Sequence, residues 1–122
     1  MQILNVSEVS FEDFKERGAK GVIRKTLVSE RNGSKFFRLR YYKLEKGGQT
    51  PFDIHDYEHV LIVIKGSGYL LTLINGIPSM RKLMEGDVVY ISSKEPHQLI
   101  NMDQETFEFY CFGTSQSLYN VD

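Results

Sequence analysis

Apolar and polar residues alternate in short runs along most of this chain, the period-two signature of strands with one buried face. Gly21 to Ser29 reads as a strand, and Asn32-Gly33 after it is a hairpin signal. Phe36 to Leu44 follows, with Arg38 and Arg40 on one side and Phe37, Leu39 and Tyr41 on the other, expected to be the core side. Gly47-Gly48 interrupts it. Val60 to Ile64 is a run enriched in β-branched residues, ended by Gly66-Ser67-Gly68. Tyr69 to Ile74 leads into the turn residues Asn75-Gly76-Ile77-Pro78, and Asp87 to Ile91 and Gln98 to Met102 flank a loop. Thr106 to Phe112 closes the series, with Phe107, Phe109 and Cys111 expected to face inward and Glu108 and Tyr110 outward.

One helix is expected near the start, over Phe11 to Glu16, with Ser10 as N-cap and Gly18 as stop. Many short strands with turns between them and hardly any helix predict an all-β sandwich or barrel. Phe37, Tyr41, Phe107 and Phe109 are its expected core aromatics. Leu61 to Ile64 is apolar on both faces, so a second sheet or a partner subunit is expected to cover its outer side.

Composition narrows the function. A chain of 122 residues fits one domain, and 41% hydrophobic with 25% charged residues is ordinary for a globular protein. Fifteen Lys and Arg against sixteen Asp and Glu give a net charge of −1, which offers no strong attraction to nucleic acid or to an anionic membrane. The basic residues Arg17, Lys20, Arg24 and Lys25 read as a solvated surface stretch. Met1 to Ser10 has no basic segment followed by an apolar one, and Val60 to Ile64 is too short to cross a bilayer. With one cysteine, Cys111, there is no intramolecular disulfide. A cytoplasmic setting is the expectation.

The three histidines carry the candidate chemistry. Asp53 and His55 are two apart on an extended segment, so both side chains project from one face. His59 immediately precedes the apolar run at Val60, and His97 begins a distant strand. Brought together in a barrel interior, three neutral imidazoles and one carboxylate suit a divalent transition metal. Asp53, His55, His59 and His97 are therefore the expected metal ligands. Asp53 has the alternative of orienting a bound histidine from outside. Glu58 is a rival for the carboxylate and a weak catalytic candidate. Cys111 reads first as a small buried hydrophobe and second as a redox-sensitive thiol beside the metal. Asn101 reads as structural, its amide fixing a turn.

This spacing resembles that of the cupin superfamily, in particular its small single-domain metal-binding members with the conserved cupin-2 barrel. Their first motif runs glycine, five residues, His-x-His, three or four residues, glutamate, six residues, glycine. Here Gly47 is followed after five residues by Asp53-Ile54-His55, then by His59 and Gly66. The second motif begins here at Gly86-Asp87, with His97 at its histidine and Asn101 at its asparagine position. Asp53 stands at the family's first histidine and His59 at its glutamate, so the donor set keeps its content and changes its order. Ser92 and Lys94 replace the second motif's proline and glycine.

The resemblance implies a cupin double-stranded β-helix, or jelly-roll barrel, over residues 1–122, with motif 1 at 47–66 and motif 2 at 86–101. It also implies one divalent ion (iron, manganese, nickel, zinc or copper), a small-molecule ligand and a homodimer. Cupins include dioxygenases, isomerases, decarboxylases and sugar- or acid-binding modules, so fold alone chooses no reaction. The expected function is a metal-dependent, dioxygenase-like oxidoreductase acting on a small organic molecule. The alternatives are a non-catalytic sugar- or carboxylate-binding sensor and a metal-dependent isomerase.

Overall fold

The computed structural model describes residues 1–115. Nine strands form one curled sheet: β1 (Glu12–Asp13), β2 (Lys20–Val28), β3 (Phe37–Gln49), β4 (His59–Lys65), β5 (Gly68–Ile74), β6 (Ile77–Leu83), β7 (Val88–Ile91), β8 (Gln98–Ile100) and β9 (Phe107–Thr114). All pairings are antiparallel. The main path runs β6-β5-β8-β3-β9-β4-β7, and β2 lies on β3 with β1 beyond it. This is the jelly-roll architecture that the strand pattern and the motif spacing imply.

Three neighbouring strands line the interior. In register, Leu44 of β3 faces Phe107 of β9, Tyr42 faces Phe109 and Arg40 faces Cys111. On the other flank of β9, Val63 of β4 faces Phe109, Leu61 faces Cys111 and His59 faces Gly113. With a period of two, these residues share the concave face. Each strand passes from apolar to polar along the barrel axis. The apolar end is closed by Leu44, Phe107, Val63 and Leu83, all buried. Gly68 is required there, since a Cβ at this position would stand 2.3 Å from the Phe107 ring.

Four features differ from the sequence-based expectation. No helix forms over Phe11 to Glu16; single 3-10 turns occupy Val6–Glu8 and Glu16–Gly18, with β1 between them. Only Phe14 in that segment has a buried place, edge-on to Tyr42, and a short extended crossing paired with β2 delivers it without a helix. The parity of β3 is reversed: Arg38, Arg40, Tyr42 and Leu44 belong to the concave side, while Phe37 and Tyr41 lie outside. Phe37 is 52% exposed, and Tyr41 packs edge-on to Tyr110 and donates to the Glu108 carboxylate. Gly47-Gly48 bends β3 without ending it. The strand leaves β9 after Leu44 and pairs with β8 at Gln49.

The fourth is β6, a strand that starts inside the expected turn Asn75-Gly76-Ile77-Pro78. Asn75 and Gly76, both at positive φ, close a two-residue hairpin in which Ile74 pairs with Ile77. Pro78 is tolerated because β6 is an edge strand. Phe107, Phe109 and Cys111 are buried, as the alternation of β9 implies. Among the described residues no helix is long and apolar enough to cross a membrane.

Candidate metal centre

The polar end of the barrel holds the histidines, and backbone bonds between two loops put them there. Asp53 and His97 exchange N–H···O bonds of 2.9 and 3.0 Å, and the Lys94 N–H donates to the His55 carbonyl at 2.7 Å. Lys94 adopts φ of +62°, the left-handed region that favours glycine, which is the residue the cupin pattern carries there. The third histidine, His59, begins β4 opposite Gly113, whose missing Cβ would lie 3.4 Å from His59 Nδ1. Asn101 locks the second loop from below: its amide donates to the Leu44 and Glu105 carbonyls and accepts from the Asp103 N–H.

One candidate ligand atom from each of His55, His59 and His97 lies within 4.8 Å of the others. The Nε2 atoms of His55 and His59 are 2.9 Å apart. Two nitrogens at about 2.1 Å from one ion and at right angles stand roughly 3.0 Å apart, so this pair already has the spacing of neighbouring ligands. His55 Nδ1 donates to the Tyr57 carbonyl at 3.0 Å and His97 Nδ1 to the Glu95 carbonyl at 2.8 Å. A carbonyl only accepts, so Nδ1 carries the proton in both rings and Nε2 carries the lone pair. The His55 ring also stacks on Tyr57 at 3.7 Å between centroids, which limits its rotation.

The electrostatics favour neutral imidazoles. Burial, then the neighbouring His55 and His97, pushes His59 down to about 3. Burial and His97 lower His55 as well. Ligands that need no deprotonation bind a metal without proton competition at neutral pH. The donor set therefore fits a divalent transition ion. Cys111 Sγ lies 2.9 Å from His59 Nδ1, and burial raises its thiol to about 12, so it is a neutral neighbour of the histidine.

Asp53 lines the same cavity but is not among the three groups that converge. Its carboxylate contacts the Arg17 guanidinium, with both oxygens at 3.4 Å from guanidinium nitrogens. Glu58 accepts from the Tyr90 hydroxyl and is absent from the cavity wall. His59 thus occupies the inner position that the spacing assigned to it, and Glu58 does not.

The cavity beside the histidines measures about 60 Å³ and is walled by Phe14, Tyr42, Leu61, Ile91, Leu99 and Phe109 among others. Three arginines, Arg17, Arg24 and Arg40, also line it. Two of them, Arg17 and Arg24, belong to the stretch read from sequence as solvated surface. Arg24 lies over the Phe14 ring at 3.9 Å and donates to the Tyr42 hydroxyl. A signal existed in the strand parity, since Arg24 is two residues from buried Val22 and Arg40 two from buried Tyr42.

A model of the cupin domain matches residues 40–113, which include both motif segments. Among solved structures, the polyketide cyclase RemF from Streptomyces resistomycificus is 25% identical with a TM-score of 0.84, over 93% of this chain and 79% of that one. A protein described as a predicted oxalate decarboxylase from Thermotoga maritima is 25% identical with a TM-score of 0.79, over 93% of this chain and 98% of that one. A cupin-2 domain protein from Rhodospirillum rubrum is 24% identical with a TM-score of 0.74, over 95% and 75% of the two chains. No curated protein matches the sequence.

Proposed function

From the premise that this chain belongs to the cupin family, we propose that it is a metal-dependent oxidoreductase of the dioxygenase type acting on a small organic molecule. The convergence of three imidazoles at one end of a narrow cavity is the observation that carries this reading. His55, His59 and His97 would hold one divalent ion, with Asp53 on the same wall as the candidate fourth donor. Such an ion would supply Lewis-acid polarisation and electron transfer.

The remaining work belongs to the chain. The Tyr57 and Glu95 carbonyls fix the tautomer and aim of His55 and His97. Leu61, Ile91, Leu99 and Phe109 exclude water from the reacting end and strengthen each polar contact there. Asn101, tied into the loop that carries His97, holds that loop to the floor of the barrel.

Elemental analysis of protein expressed without a metal-binding tag tests the reading. The parent is expected to carry about one equivalent of metal, and the His55→Ala and Asp53→Ala variants little. Iron or manganese, with oxygen consumption in the presence of substrate, supports the oxidoreductase. Zinc or nickel without oxygen consumption would turn the reading to an isomerase or a binding module. No metal after reconstitution at neutral pH would overturn it, and a full equivalent in Asp53→Ala would remove Asp53 from the ligands.

A homodimer is part of the same proposal. The outer face of β3, β4 and β9 carries a groove of about 560 Å³ lined by Leu39, Val60, Ile62 and Phe112, with Ile62 and Phe112 exposed. A light-scattering mass of two chains is expected, and one chain at micromolar concentration would contradict it.

A further inference from the structure

The cavity beside the histidines is unbalanced in charge. Three guanidinium groups line it against one carboxylate, that of Asp53, which is already in contact with Arg17. The other ionisable groups on the wall do not restore the balance. Burial holds the Tyr42 hydroxyl in its neutral form. Arg24 is placed by a ring and a hydroxyl, with no anion among its contacts.

Arg40 is the least accounted for. Its Nε is buried and has no hydrogen-bond partner among the described residues. A buried, unpartnered guanidinium nitrogen is a standing cost to the fold, and such a cost persists where a site uses it. In register Arg40 faces Cys111, whose sulfur touches His59, and Arg40 lines the same cavity as the three imidazoles. A guanidinium presents its donors as a planar fork that matches a carboxylate.

We propose that the molecule this cavity takes is a small organic carboxylate, its carboxylate held by Arg40 with Arg24 beside it and its other end turned toward His55, His59 and His97. The direction of the second end rests on the metal-binding reading above; the grip of Arg40 on the carboxylate does not. The size follows from the cavity: 60 Å³ accommodates roughly five water-sized groups, which limits the buried part of the ligand to a few heavy atoms. The walls of Leu61, Ile91 and Phe109 raise the strength of the ion pair by excluding water, and they leave room for a short apolar spacer.

The test uses malonate and its neutral isostere malonamide, titrated calorimetrically into the metal-loaded and the metal-stripped protein. Malonate is expected to bind at least tenfold more tightly than malonamide in both forms. Arg40→Met should weaken malonate tenfold or more in both forms and leave malonamide unchanged. Arg40→Gln, which keeps a polar head without the charge, should behave in the same way and stands in if the first variant does not fold. Equal malonate affinity in parent and variant would overturn the proposal, as would equal affinity for the two isosteres in the parent, the result for a site that merely holds water. Metal content measured on the same samples separates the two readings. A parent that takes up no metal on reconstitution yet prefers malonate through Arg40 defeats the metal site alone, and a loaded parent indifferent to Arg40 defeats the carboxylate grip alone.

Discussion

The two ends of the barrel interior are built from the same strands and the same register, yet they obey opposite rules. At the closed end, Leu44, Val63, Phe107 and Phe109 pack without polar groups, and Gly68 gives up its side chain to the Phe107 ring. Four residues away from Leu44, Val63 and Phe107 along their strands, the same inward positions hold Arg40, His59 and Cys111. The closed end is designed for stability and its cost of change is a cavity. The open end carries a buried donor with no hydrogen-bond partner among the described residues and three imidazoles whose candidate ligand atoms lie within 4.8 Å of one another, an arrangement that local packing alone would not select. The difference assigns stability to one end and chemistry to the other.

The largest expected effect breaks the closed end. Phe107→Ala should destabilise the protein by about 3–5 kcal/mol, read as a lower urea midpoint at unchanged slope. The comparison fails if the loss is below about 1 kcal/mol. At the open end, His97→Ala should abolish metal retention while moving the stability of the metal-stripped protein by less than about 1 kcal/mol, read by thermal melting beside metal analysis.

Glu108 gives an intermediate effect on the outer surface. It is 6% exposed, and although burial opposes ionisation, hydrogen bonds from Tyr41 and Thr106 and the nearby Lys43 and Lys65 hold its carboxyl below the ordinary 4.5. The charged form is therefore the native one. Its stabilisation is fully present above pH 4.5 and is lost as pH falls through the lower folded value. Glu108→Gln should cost about 1–2 kcal/mol at neutral pH, with the gap to the parent closing in acid; denaturation at stepped pH measures this. The smallest effect is a gain. Arg40→Met removes a buried guanidinium nitrogen that has no hydrogen-bond partner among the described residues and should raise the stability of the ligand-free protein by about 1 kcal/mol.

Much of this was legible in the residues. Strand positions follow the alternation and the turns, and the histidine spacing predicts the convergence that the fold produces. What escaped has a common cause. Phe37, Leu39 and Tyr41 are apolar on the outer face, and Arg38 and Arg40 charged on the inner one, so the rule that apolar means inward inverts β3. A barrel whose inner wall ends in arginines and histidines and whose exterior carries an apolar groove breaks that rule. The same inversion hid Arg24 among surface residues. β6 escaped because its edge position lets Pro78, Arg81 and Lys82 sit in a strand that carries little core. The helix expected over Phe11 to Glu16 fails because one aromatic, Phe14, is all that segment buries.

The convergence of His55, His59 and His97 on one ion is the central claim, and titration of the metal-stripped protein with cobalt(II) tests it most directly. Visible absorption bands of imidazole-bound cobalt should grow and saturate at about one equivalent in the parent and be absent from His55→Ala, His59→Ala and His97→Ala alike. Saturation in the parent with the same bands in any of the three variants would contradict it, as would a parent that never develops them.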